Sequence, residues 1–196
     1  MTAYLRPALV LLGVFSLVTG AAYPLAVTGV AQAVFPRQAN GSVVVRDGAV
    51  VGSALIGQSF ASDRHFHGRP SATTAPDPQN PTRTVESPYN AANSTGSNLG
   101  PSSAALKAAI AERMAALGGG TQPADLVTGS GSGLDPHISP QGALAQLGRI
   151  AKATGRSEEQ LRQLVRAQTE SRLLGILGEP RVNVLALNLA LDRLAP

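Results

Sequence analysis

The chain has 196 residues, 43% of them hydrophobic, with sixteen basic side chains against twelve acidic ones and no cysteine. The missing cysteine excludes disulfides and thiolate metal centres. Only Phe60, Phe66 and Tyr89 among the aromatic residues follow Pro36, and the small surplus of arginine is interspersed with acids. That is neither a base-stacking platform nor a dense basic patch, so nucleic acid is not an expected partner.

From Ala8 to Phe35 no side chain is charged. A helix over 8–35, at about 1.5 Å per residue, is longer than the roughly 30 Å hydrocarbon core of a bilayer. The expected organisation is one transmembrane helix over 8–35 and a water-soluble domain over 36–196. A cleaved signal peptide is the competing reading, with Met1 to Arg6 as its basic end and Ala31-Gln32-Ala33 as a small-residue cleavage site. The apolar run is about twice the length of a usual signal core, which favours a retained anchor. Arg6 flanks one end and Arg37 and Arg46 the other, so charge counting does not choose an orientation. A short head and a long following domain are compatible with the head inside and the domain outside.

The span holds no ionisable residue, so on its own it offers no ion pathway. Ser16 and Gly20, four apart, would let a neighbouring helix approach closely, as would Gly29 and Ala33. Pro24 is expected to kink the helix and leave a carbonyl one turn earlier without its donor.

Beyond the span, valine-rich segments between Ser42 and Ile56 flank Asp47-Gly48, a two-residue turn signal that predicts a β-hairpin. Six prolines and many Asn, Ser and Thr between Ser62 and Pro101 predict a long loop, about 62–101, with little regular structure. The remainder reads as mainly helical. Ser102 or Ser103 caps a helix carrying Leu106, Ile110, Met114 and Leu117 that stops at Gly118. A strand is expected at Asp125 to Thr128. One helix is expected from Ser139-Pro140 to Gly155, with Leu144, Leu147 and Ile150 on its inner face. Ser157 with Gln160 forms a capping box for a helix burying Leu161, Leu164 and Val165, and a last helix starts at Asn183 and carries Leu185, Leu189 and Asp192. The soluble part is therefore expected to be an α+β (α/β-like) domain with a β-hairpin, several helices and an aliphatic core.

Several local patterns have catalytic residue types. Gly129-Ser130-Gly131-Ser132-Gly133 lacks the Gly-Lys-Ser/Thr ending of a phosphate-binding P-loop. Ser132, Asp135 and His137 are triad residue types without a nucleophile elbow, so a membrane-tethered hydrolase using Ser132 and His137 is a minor alternative. His65 and His67 form an H-x-H pair that reads as two surface imidazoles in preference to a metal site. Most of Ser130 to Ser139 is explained as a turn-rich connector, with Ser139 capping the next helix. The polar density of the segment also suits a recognition loop. Ser130, Ser132, Asp135 and His137 are its partner-docking or ion-entry candidates.

The strings FPRQANGS (Phe35 to Ser42), VGSALIGQSF (Val51 to Phe60), HFHGRPSA (His65 to Ala72), SGSGLDPHIS (Ser130 to Ser139) and GEPRVNVLALNLALD (Gly178 to Asp192) resemble the KdpC family, the C subunit of the Kdp potassium-transporting ATPase. Their order and spacing match, as do the single N-terminal span with Tyr23-Pro24-Leu25 and the Ser97-Asn98 segment. The resemblance implies a non-catalytic accessory subunit of a high-affinity potassium uptake pump in the bacterial inner membrane, needed for assembly and activity, with its C-terminal domain periplasmic. Its implied partners are the channel-like A, ATP-hydrolysing B and small F subunits. It also implies a catalytic chaperone that raises the ATP affinity of the B subunit. No bound cofactor and no cofactor-binding residues are assigned to this chain, and ATP is expected through a complex with the ATP-hydrolysing subunit. Since ATP is cytoplasmic, a periplasmic domain would act on it by coupling through the span and the A subunit. A periplasmic filter or binding module over the potassium entrance is the alternative, with Asp135 enriching cations there.

Overall fold

The computed structural model of the protein describes residues 2–194. Met1, the start of the expected short head, and the final two residues of the 36–196 domain lie outside the described residues. The chain divides into two compact units between Val51 and Gly52.

In the first unit, α1 (Thr2–Leu17), a π-turn (Val18–Ala22) and α2 (Tyr23–Val34) run on without a break. The stretch Ala3–Val34 is long and apolar enough to cross a membrane. Pro24 sits in the first turn of α2, and the five-residue turn before it carries the accommodation. Tyr23 N–H reaches back five residues to the Val18 carbonyl, so a widened turn stands where the proline would otherwise break the ladder. Phe35 leaves the helical region and Pro36 opens the short α3 (Pro36–Ala39). β1 (Val43–Arg46) and β2 (Ala49–Ser53) form the expected hairpin. Its turn residues Asp47 and Gly48 both have positive φ, 52° and 79°, as a tight two-residue turn requires.

The second unit is built on helices around a small three-stranded sheet. Its elements are β3 (Thr74–Pro76), β4 (Thr84–Glu86), α4 (Ala104–Ala116), α5 (Ala124–Val127), β5 (His137–Ile138), α6 (Pro140–Leu144), α7 (Leu147–Thr154), α8 (Glu158–Ala167), β6 (Thr169–Glu170), β7 (Arg181–Asn183) and α9 (Val184–Arg193). β7 is central, antiparallel to β5 on one side and β6 on the other. The expected caps are in place. Ser103 accepts from Leu106 N–H, Ser157 and Gln160 form a full capping box, and Asn183 accepts from Ala186 N–H. Ile138, Leu147, Ile150, Leu161, Val165, Val182, Leu187 and Leu191 meet in one aliphatic core that also encloses Phe66.

Three expectations change. The segment at Asp125 to Thr128 is not a strand but one helical turn, α5. Thr128 N–H closes the turn on the Ala124 carbonyl four residues back at 2.8 Å, a bond that an extended segment does not make, and Leu126 and Val127 are both buried. The helix expected from Pro140 to Gly155 is two helices. It re-registers at Gln146, whose N–H bonds three residues back to Ala143. Finally, the long 62–101 loop contains the antiparallel β3–β4 hairpin and is pinned at its start. Asn188 Oδ1 accepts from Phe66 N–H at 2.8 Å while its Nδ2 donates to the Phe66 carbonyl at 2.9 Å. Gln146 holds both backbone groups of His67 in the same way, at 2.8 and 3.1 Å. Two side-chain amides thus replace a β-ladder and let an irregular segment place Phe66 in the core.

Candidate functional site

The candidate segment Ser130 to Ser139 enters from α5 and ends in β5 and the Ser139 cap of α6. Asp125 of α5 fixes that cap, accepting from Ser139 N–H at 2.6 Å and Oγ at 3.1 Å. At the other end Ser130 is almost buried and its Oγ accepts from Gly133 N–H at 2.9 Å, closing a turn. Gly133 has φ +67°, and a Cβ there would lie 2.6 Å from both Thr73 Cγ2 and the Thr95 carbonyl oxygen. Only glycine fits.

The long loop braces the segment along its length. Thr95 N–H donates to the Ser132 carbonyl at 3.0 Å, Ser94 Oγ donates to the same oxygen at 3.1 Å, and Ser71 Oγ donates to the Gly133 carbonyl at 2.7 Å. Gly57 N–H donates to the Leu134 carbonyl at 2.8 Å. Gly57 also packs so closely that an added Cβ would sit 2.7 Å from the Asp135 carbonyl oxygen, with the Tyr89 ring nearer still.

At the centre, Asp135 is clamped from two directions. Its Oδ2 accepts from Arg69 Nη1 at 3.1 Å, and its Oδ1 accepts from His137 N–H at 3.0 Å with the His137 ring Nδ1 at 3.4 Å. Burial by itself would raise the carboxyl. The hydrogen bonds from the His137 side chain and backbone, and then the Arg69 bond and charge, outweigh it and hold Asp135 below the usual carboxylate value. Arg69 also donates to the Gly129 carbonyl at 3.3 Å, and its own carbonyl accepts from Tyr89 Oη at 2.7 Å. Burial, with the Asp135 charge adding to it, pushes the Tyr89 hydroxyl up to about 12, so it stays a protonated donor.

Two open depressions flank the Arg69–Asp135 pair. One, of about 370 Å³, is lined by Asp125, His137, Ser139, Glu179 and Arg181. The other, of about 570 Å³, is lined by Leu55, Ile56, Ser94, Ser132 and Leu134. Asp135 and His137 are therefore brought together, and Ser130 and Ser132 are brought together with their hydroxyl oxygens 3.4 Å apart. Ser132 and His137 are not joined as nucleophile and base. The Ser132 Oγ accepts from Leu134 N–H at 3.1 Å, while the histidine faces Asp135 from the other depression. His65 and His67 also point to different partners, the Asp192 carboxylate at 3.2 Å and the Ser62 carbonyl at 3.1 Å. In the apolar helix Ser16 and Gly20 are exposed, Gly20 within the π-turn, and a Cβ on Gly20 would meet nothing within 4 Å.

Residue type alone does not mark Arg69, Tyr89 or Gly57 as part of this site. The signal for Arg69 and Gly57 lies in the strings that carry them, HFHGRPSA and VGSALIGQSF; Tyr89 has none beyond being the one tyrosine of the long loop.

The family model described as "K+-transporting ATPase, c chain" matches residues 5–193, which takes in the whole of this site and all but the first residues of the apolar helix. The chain belongs to the KdpC family. A "Potassium-transporting ATPase KdpC subunit" from Rhodopseudomonas palustris strain BisB5 is 61% identical over 98% of both chains, and one from Methylobacterium nodulans is 63% identical over 100% of this chain and 99% of its own. A third, from Bradyrhizobium diazoefficiens, is 58% identical over 100% and 99%. The Arg69–Asp135 clamp thus belongs to a subunit of a potassium-transporting ATPase whose N-terminal helix is long enough to span the membrane.

Proposed function

We propose that the chain is a non-catalytic accessory subunit of the ATP-driven potassium uptake pump, anchored in the bacterial inner membrane by its N-terminal helix with the second unit on the periplasmic side. Its partners are the A, B and F subunits. The face carrying Ser132, Asp135 and His137 docks on them. The chain contributes to assembly and activity, and raises the ATP affinity of the B subunit through coupling across the membrane without touching nucleotide.

One observation carries the reading of this face: its polar groups are spent on holding its own backbone. Ser130 and Ser132 close turns, and Asp135 is neutralised by Arg69 and bonded by His137. A nucleophile needs a base within hydrogen-bond reach, and here serine and histidine line separate depressions. A cation-attracting role needs uncompensated negative charge, whereas the Asp135 carboxylate already has a guanidinium at 3.1 Å. A braced, charge-compensated surface suits docking.

The test is growth of cells lacking this subunit at limiting potassium. Restoration by the native chain and by Ser132→Ala, together with activity of an extracytoplasmic reporter fused after Pro196, is the expected result. Failure of Ser132→Ala with the protein present at normal level, or activity only of a cytoplasmic reporter, overturns the corresponding part of the reading.

A further inference from the structure

Four of the five most exposed large apolar residues described in the second unit are gathered at one place, the fifth being Leu55 beside the Ser132 depression. Leu173, Leu174, Ile176 and Leu177 are between 56% and 82% exposed. They form the closed tip of the β6–β7 connection. Leu173 N–H donates to the Leu177 carbonyl at 2.9 Å, the reverse bond is 3.0 Å, and Gly175 N–H donates to the Arg172 carbonyl at 3.1 Å. The stem below is fixed by the Arg172–Glu179 ion pair at 2.7 Å and the Arg181–Glu170 pair at 3.0 Å. Leu174 is held at φ +54°, a region that leucine seldom occupies and asparagine tolerates well. The tip is a shaped element that keeps four aliphatic side chains in water.

The surroundings discriminate between occupants. A tip that dips into a bilayer is normally collared by free basic residues that meet lipid headgroups. Here Arg172 and Arg181 each face a glutamate, and the adjoining depression is lined with Asp125, Asp135 and Glu179 as well as Arg69 and Arg181. Mixed, paired charge around an apolar centre is the pattern of a protein interface, with an aliphatic anchor and a polar rim. Glu179 and Arg181 belong both to this stem and to the depression beside Asp135, so tip and clamp form one continuous face.

We propose that the Leu173–Leu177 tip inserts into an apolar groove on another subunit of the potassium-transporting ATPase, with the polar depression beside Asp135 as the rim of the same interface. This rests on the docking reading above. The experiment uses the full chain produced with the rest of the pump, with Ile176 replaced by benzoylphenylalanine and irradiated in native membranes. A covalent adduct with another pump subunit is the expected result. The second arm is Leu174→Asn with Ile176→Asn, which relieves the Leu174 backbone and leaves the core untouched. Recovery of pump subunits with the tagged variant should fall at least about tenfold, as for a central interface anchor, with its thermal unfolding unchanged or shifted upward. Adducts only with lipid, adducts only with a second copy of this chain, or no adduct while the chain still co-purifies would each overturn the tip assignment and leave the docking reading standing. Loss of co-purification for the native chain itself would overturn both.

Discussion

The Arg69–Asp135 clamp makes a quantitative demand. Asp135→Ala removes the acceptor for His137 N–H at 3.0 Å and for Arg69 Nη1 at 3.1 Å, leaving a guanidinium whose Nε is already buried without a hydrogen-bond partner. An orphaned buried donor costs about 1–3 kcal/mol, and more when it is charged. The Arg69 and Asp135 side chains are 25% and 29% exposed, so water recovers part of that cost. We expect Asp135→Ala to lower the unfolding free energy by about 2–3 kcal/mol, and Asp135→Asn, which keeps an acceptor for His137 N–H, by about 1 kcal/mol. Arg69→Met removes the other partner, and a double-mutant cycle should return a coupling of about 1–2 kcal/mol. The assay is urea denaturation of the full chain in detergent micelles, followed by far-UV circular dichroism. A coupling of less than about 0.5 kcal/mol would refute the argument, because the pair would then not be what makes this face rigid.

Other expectations follow from the same geometry. Gly57→Ala places a methyl against the Asp135 carbonyl and the Tyr89 ring and should cost about 2–3 kcal/mol, the upper part of the range for overpacking, read as a fall in the denaturation midpoint; an unchanged midpoint would mean this approach is not tight. Burial foremost, with the Arg149 charge adding to it, holds His67 below its ordinary value of 6.5 despite the Ser62 carbonyl. The unfolded chain then takes up the proton first, so stability is complete above pH 6.5 and is lost as pH falls through the depressed folded value. Midpoints measured from about pH 7.5 down to about 5 should show this decline, and His67→Gln should flatten it. Gly20→Leu should reduce recovery of this subunit with the pump while membrane insertion persists, and unchanged recovery would remove that helix face from consideration.

Much of this fold was legible because its signals are local. Ser103, Ser139, Ser157 and Asn183 each cap the helix their position announces, and Asp47-Gly48 closes its hairpin. What was not legible depends on long-range partners. Nothing near Asp125 says that its carboxylate will fasten Ser139, and nothing near Gln146 says that its amide will hold the backbone of His67, 79 residues away. The same holds at the site. Asp135 and His137 are close in sequence and their pairing could be read, but Arg69 comes from 66 residues earlier. The aliphatic run at Leu173 to Leu177 carries no sequence signal of its exposure, because exposure is decided by the fold and not by residue type.

The Asp135 face is read as a docking surface of the assembled pump and not as an active site. Its most direct test is the potassium-stimulated ATP hydrolysis of pump purified with Asp135→Asn, compared with pump purified with Ser132→Ala. Asp135→Asn should lower that activity, or its apparent potassium affinity, with the chain still folded, and Ser132→Ala should stay close to the native rate. Native activity with Asp135→Asn and a collapse with Ser132→Ala would contradict it.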